Sequence, residues 1–309
     1  MVVLGVCGVF AALITVSIIA VLLVETVAFF QRPEASVTDF FFGTKWSPLL
    51  GAEKHFGIWP LVCGTLVVTA VAAVVALPFG LATAIYLSEY APARLRAVLK
   101  PVLELLAGIP TVVYGYFALI AITPALQWLH DNIVMRAAPA LTWLPEDLYE
   151  WITKPISAYN ALGAGIAVGI MCLPIVSSLA EDSLRAVPRS LREGAYAVGC
   201  TRFDVSTKVV VPAALSGIIA AYLLAIARAV GETMIVALAA GGLARLTLDP
   251  RDEVQTMTGY MVQIFLGDAP AHGVEYLSSY AVAATLFVMT FVLTVIGHRV
   301  MLRYREVYH

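Results

Sequence analysis

Arg228 and Glu232 lie four residues apart in Ala-Arg-Ala-Val-Gly-Glu-Thr-Met-Ile-Val, about midway along an apolar run over about 211–243. Placing an Arg at the centre of a membrane helix costs about 2.5–3.5 kcal/mol, so a charge kept there faces protein or water and marks a pathway by default. On one continuous helix, residues four apart share a face and pair. A guanidinium presents a planar fork of donors that matches the oxygens of a tetrahedral anion. The adjacent carboxylate either accepts a proton from that anion or holds the arginine when none is bound. With the adjoining Thr233, these residues form a candidate substrate pathway. The alternative is an ion pair that only orients the helix.

A second constellation is polar and falls between two apolar runs. Pro188 suits the first turn of a helix, where its missing amide proton is not needed, and Gly199 suits the left-handed stop after it. The spacing predicts a helix over about 188–198, with Arg189 and Glu193 on one face and Ala195 small enough for a partner to approach closely. Thr201 then caps a second helix leading to Pro212. Two helices joined by a sharp turn form a knob that a groove can hold; the bland alternative is a solvated loop. The register of Glu193, Gly194, Ala195, Gly199 and Pro212, next to Arg192, is similar to the cytoplasmic coupling loop of ABC import permeases. That pattern reads Glu-Ala-Ala, three residues, Gly, nine residues, Ile-x-Leu-Pro, and this chain departs from it at Gly194, Val209 and Val211 with small or β-branched replacements.

The elements that position both constellations are membrane helices. Of the residues, 61% are hydrophobic and 13% charged, against roughly 45–50% and about 25% in soluble domains. Crossing a bilayer takes about 20 apolar residues. Six runs qualify, over about 3–29, 60–88, 99–128, 158–180, 211–243 and 276–302. The first is about twice the length of a signal-peptide core and lacks a basic start, so it reads as a retained helix. Arg94, Arg96 and Lys100, then Arg185, Arg189, Arg192, Arg202 and Lys208, then Arg299, Arg303 and Arg305 crowd alternate connections and the tail. Retention of Lys and Arg on the cytoplasmic side makes both termini cytoplasmic. The tryptophans Trp46, Trp59, Trp128, Trp143 and Trp151 fall at the opposite face, as an interfacial belt. The turn-rich stretch of about 30–58, with Pro33, Gly43, Pro48, Gly51 and Gly57, is external.

The third run carries Gly108, Pro110, Thr111, Tyr114 and Gly115. These predict a bend or a close helix approach near the pathway, with ordinary packing as the equal alternative. Glu104, one turn from the inner end, faces either that path or the interface. Pro78 and Gly80 predict a kink in the second run. Gly165 and Gly169 form a Gly-x-x-x-Gly pair that favours close helix packing. Cys7, Cys63, Cys172 and Cys200 have neither disulfide nor zinc spacing and read as packing residues. The five histidines show no zinc-hydrolase pattern, and no metal site or catalytic residue is expected. No Gly-x-x-x-x-Gly-Lys-Ser/Thr loop occurs, so this chain is not a nucleotide-hydrolysing subunit by that route. The net charge of −2, with no basic stripe outside the inner loops, argues against nucleic acid as a partner.

Taken together, Leu-Ser-Glu-Tyr-Ala-Pro at 87–92, Leu-Leu-Ala-Gly-Ile-Pro-Thr-Val-Val-Tyr-Gly at 105–115, Arg-Ala-Val-Pro-Arg-Ser-Leu-Arg-Glu-Gly-Ala at 185–195 and Arg-Ala-Val-Gly-Glu-Thr-Met at 228–234 resemble the PstC family of bacterial phosphate-importer permeases. The resemblance implies an all-α membrane protein of six transmembrane helices, built on the type I ABC importer (MetI-like) bundle. Residues 1–56 would supply the added helix and external connection, and 57–309 the five-helix core with the coupling loop at 181–212. It implies phosphate as cargo passing Arg228, Glu232 and Thr233, with Glu104, Pro110, Thr111 and Tyr114 as further path or gate residues. The implied partners are a PstA-like permease, two PstB-like ATPase subunits that hold ATP and Mg, a periplasmic PstS-like receptor and the lipid of the bacterial cytoplasmic membrane. The rival readings are the PstA position, a permease for sulfate or molybdate, and an ATP-independent secondary carrier.

Overall fold

The computed structural model describes residues 2–49, 54–270 and 273–303; Arg305, Gly51, His272 and His309 lie outside them. In chain order, α1 (Val2–Phe30) leads through a six-residue helical turn and a two-residue antiparallel ladder, Trp46–Ser47 with His55–Phe56, to α2 (Trp59–Ile85). A π turn at Tyr86–Tyr90 ends α2. Next come α3 (Ala93–Ala107), α4 (Thr111–Phe117), α5 (Ala161–Ala186) and α6 (Arg189–Ala197). The chain closes with α7 (Leu215–Val230), α8 (Met234–Ala239), α9 (Met257–Gln263) and α10 (Val274–Arg303). The helical segment begun by α4 runs on to Leu141.

Among the described residues five helices are long and apolar enough to span a bilayer: Val3–Phe30, Trp59–Tyr90, Thr111–Leu141, Ala161–Ala186 and Val274–Arg303. A bent pair, Arg202–Ala213 and Leu215–Val230 meeting at 71°, is long and apolar enough to make a sixth when its two helices are taken together. The described helices thus give five spans, or the expected six when the bent pair is taken as one, and two of these differ from the apolar runs. The run expected as one helix over 99–128 is split at Gly108–Pro110, because Pro110 has no amide proton to donate and biases Ile109 out of the helical region. Its first half is the amphipathic α3, with no buried residue, and Glu104 is exposed there, before the span begins. The run expected over 211–243 is likewise divided, by the 71° bend at Ala214 and again at Gly231–Thr233.

The core is centred on α5. Ala161, Ala164, Ala167, Val168, Val176, Ala180 and Leu184 are fully buried along it. Asn160 caps its start, its Oδ1 accepting from the Gly163 amide at 2.6 Å. Gly165 and Gly169 let α2 lie directly against this helix. A Cβ at Gly165 would sit 2.6 Å from Val71 Cβ, and one at Gly169 2.7 Å from Val75 Cβ. Close packing of backbones replaces the hydrophobic drive that lipid does not supply. Gly165→Leu is therefore expected to cost about 1–3 kcal/mol through overpacking, read as a lower midpoint in thermal unfolding of the detergent-purified protein. An unchanged midpoint would contradict this packing.

α1 stands apart from that core. The most apolar stretch of α1 is 0% buried, and it leans on α10, where Thr26 Oγ1 donates to the Tyr280 carbonyl at 3.2 Å. At the end opposite the Gly199 turn, Phe29, Phe40, Trp46, Phe56 and Tyr260 form an edge-to-face aromatic cluster that ties α1 and the two-residue ladder to α9.

Candidate functional site

Arg228 occupies the last turn of α7, and Glu232 lies in the break that follows. The expectation of one continuous helix is corrected here, and the residues themselves supply the reason. Gly231 weakens the helix, and the Glu232 carboxylate takes up amides of the next one: Oε1 accepts from Met234 N at 3.2 Å and Ile235 N at 3.4 Å. Thr258 Oγ1, from the start of α9, donates to the Glu232 carbonyl at 2.6 Å and pins the break from the other side. Thr233 is half-buried, with its hydroxyl turned back to the Gly231 carbonyl at 3.2 Å.

The expected pairing survives the break. Arg228 Nη1 lies 3.1 Å from Glu232 Oε2, an ion pair without the alignment of a hydrogen bond. The two partners are unequally covered, the Arg228 side chain being 44% exposed and that of Glu232 2%. Among the described residues, the hydrogen-bond partner of Arg228 Nη2 is the soft Met171 Sδ at 3.7 Å. The guanidinium is thus steadied through its two terminal nitrogens, neither of them saturated among the described residues, on a side chain that is nearly half open, while Glu232 is committed to the backbone of α8.

Beyond the break, a cavity of about 470 Å³ opens between α8 and α9, lined among others by Met234, Leu238, Gly259, Gln255 and Glu253. Gly115 of α4 lets that helix press on α8, an added Cβ there lying 3.1 Å from Ile235 Cα. Tyr114 is buried, and its hydroxyl donates to the Leu106 carbonyl at 2.8 Å, closing the gap left by Pro110. Tyr114 and the half-buried Thr111 are therefore brought beside α8. Glu104 is not brought to this region, and Pro110 is exposed in the break.

The second constellation folds as the predicted knob, with small shifts in its bounds. Its helix is Arg189–Ala197, with Pro188 just before it rather than inside its first turn. Gly199 takes φ +88°, the left-handed conformation that ends the helix without strain. Thr201 Oγ1 accepts from the Asp204 amide at 3.2 Å, capping the helical stretch that carries Pro212. Glu193, Gly194 and Pro212 are exposed, whereas Ala195 packs partly onto the apolar cluster around Leu184 and Val205. Two knob residues that the motif does not contain stand out: Val198 is 80% and Phe203 67% exposed. Composition alone does not single them out, because their exposure depends on the turn at Gly199.

The connection before α5 and the one after α8 meet at the end opposite the knob. Arg251 lies over the Trp151 ring at 4.6 Å and pairs with Asp249 at 2.8 Å, while Lys154 reaches Asp249 at 3.0 Å and Asp252 at 2.6 Å. Burial pushes the Asp249 carboxyl up, but hydrogen bonds from Arg251 and Lys154 outweigh it and hold the group well below the usual carboxylate range. A depressed folded value means that this stabilisation is present above the unfolded value of about 4 and is lost as pH falls through the folded one. Amide exchange across residues 247–254 is expected to stay flat from neutral pH down to about 4, after correction for intrinsic rates, and to accelerate only below it. Acceleration already at about pH 6 would contradict this origin.

Comparison with known proteins adds a family to this geometry. The model of the binding-protein-dependent transport system inner membrane component matches residues 76–305, nearly the whole bundle after α1. The chain belongs to this family. Among the relatives of this permease, the phosphate transport system permease protein PstC of Mesorhizobium japonicum is 32% identical over 269 residues, covering 86% of this chain and 78% of that one. The protein of the same name from Xylella fastidiosa Temecula1 is 32% identical over 88% of this chain and 81% of its own. A probable ABC transporter permease protein, YqgH of Bacillus subtilis, is 31% identical over 83% and 75%. In fold, the permease is similar to a chain of the inward-facing MetNI methionine ABC transporter, with a TM-score of 0.52 at 17% identity over 81% of this chain and 95% of that one. This membership makes it an inner-membrane component of a binding-protein-dependent system.

Proposed function

We propose that this permease is the PstC-type subunit of an ATP-driven importer and passes inorganic phosphate across the cytoplasmic membrane. The observation that carries the reading is Arg228: a guanidinium with free donors on the open face of a broken membrane helix, in a chain whose similar relatives are named phosphate permeases. The open face is then where a PstA-like permease completes the path. Two PstB-like ATPases, holding ATP and Mg, receive the knob, and a PstS-like receptor delivers phosphate at the opposite end. Both termini are cytoplasmic in this arrangement.

Closure of the ATPases on ATP moves the knob, and the bundle exchanges inward for outward access. Phosphate released by the receptor descends past Arg228, whose fork replaces part of the water lost by the anion. Glu232 keeps the guanidinium oriented between turnovers. Arg228 alone does not distinguish phosphate from sulfate, which share shape and oxygen count, so cargo is tested by competition. In proteoliposomes holding the complete complex and ATP, unlabelled phosphate should suppress labelled phosphate uptake while equal sulfate or molybdate does not. Suppression by sulfate or molybdate instead would assign a different oxyanion.

A further inference from the structure

Although it adjoins the knob motif, Arg192 turns away from the exposed face of α6. We propose that Arg192 and Glu89 form a strut that makes the coupling helix and the inner end of α2 move as one body, delivering a partner's displacement of the knob into the bundle. The inference rests on the coupling role proposed above and names how the force leaves the knob.

No residue of α6 is buried, so apolar packing gives this helix little grip on the bundle. The grip is polar instead. Arg192 Nη2 and Nε reach Glu89 Oε1 and Oε2 at 3.0 and 3.4 Å, a two-pronged pair with side chains only 17% and 7% exposed. The same guanidinium donates to the Leu184 and Val187 carbonyls at 2.7 and 2.6 Å, at the end of α5. One side chain therefore joins α6, α5 and the end of α2. Fork geometry fixes direction as well as distance, which a lysine would not.

Glu89 itself is anchored. It belongs to the π turn Tyr86–Tyr90, and Ser88 Oγ donates to its Oε1 at 2.8 Å. The turn exposes the Leu87 and Ser88 carbonyls, which Arg96 of α3 takes at 2.7 and 3.0 Å. A second tie runs beside the strut: Arg202, after the knob's turn, stacks on the Tyr90 ring at 5.1 Å. Motion of the knob thus meets the turn that ends α2 at two adjacent residues, Glu89 and Tyr90.

The test measures rigidity directly. In the assembled complex, with the four native cysteines replaced, spin labels at Thr83 of α2 and at the exposed Ser190 of α6 report one distance. That distance should be the same without nucleotide and with ATP. In Glu89→Gln it should become nucleotide-dependent, and ATP hydrolysed per phosphate moved should rise about tenfold, the size of a lost contact coupling. Glu89→Asp, which keeps the charge, is read in the same way should Glu89→Gln fail to assemble. A distance that shifts with nucleotide in the unsubstituted complex, or stays fixed in the Glu89 variant that assembles, overturns the strut. The distance needs no cargo, so failure of the phosphate reading registers separately, as absent uptake by the unsubstituted complex.

Discussion

Arg228→Gln should lower phosphate uptake by about 100-fold while the complex is recovered in normal amounts, because one or two charge-assisted hydrogen bonds to the anion disappear. Assembly should be spared for a structural reason. Arg228 is nearly half exposed, and among the described residues its polar side-chain contacts are the pair with Glu232 and the Met171 sulfur. Glu232 retains its two backbone donors at Met234 and Ile235 without it. Arg228→Lys separates charge from geometry: it keeps the cation but loses the fork, so uptake should fall between the parent and Arg228→Gln. Initial rates in proteoliposomes decide the matter, and a Gln variant transporting within about twofold of the parent would leave only the orienting ion pair.

The second large effect is expected at the knob. Replacing both Val198 and Phe203 by Asp should weaken binding of the ATPase subunits by at least about 100-fold, since burying two such side chains contributes about 1.5–3 kcal/mol each. Both residues are exposed in the single chain, so the fold loses nothing, and thermal unfolding of the isolated permease should be unchanged. Co-purification of ATPase from membranes reads the effect. Full recovery of ATPase with the doubly substituted chain would show that force enters elsewhere.

Much of this architecture was legible in the residues. Hydropathy alone marks the spans, because a bilayer demands length and apolarity whatever the packing. The knob was legible for a different reason: Pro188, Gly199 and Thr201 each act locally, as helix start, left-handed stop and cap, and the structure uses all three. The two breaks were harder. Pro110 announced one, yet hydropathy runs through it because Leu105, Leu106 and Ile109 are apolar on both readings. At Gly231 the break depends on where one carboxylate finds amides, which no periodicity reports. Glu232 was expected to act only as a partner of Arg228, and it also starts α8. The Glu89–Arg192 pair was illegible altogether, since its members are 103 positions apart in sequence and meet only when α5 and α6 fold back beside α2.

If nucleotide energy from a partner enters through the Gly199 knob and drives phosphate past Arg228, transport must depend on all of these parts at once. Its most direct measurement is labelled phosphate uptake into vesicles that hold this permease, its partner permease, the ATPase and internal ATP, with loaded receptor outside. Phosphate should accumulate only with ATP and the ATPase present, and accumulation should be lost when the Val198 and Phe203 tip is substituted. Phosphate accumulation by this chain alone, driven by an ion gradient without ATP, would contradict that dependence.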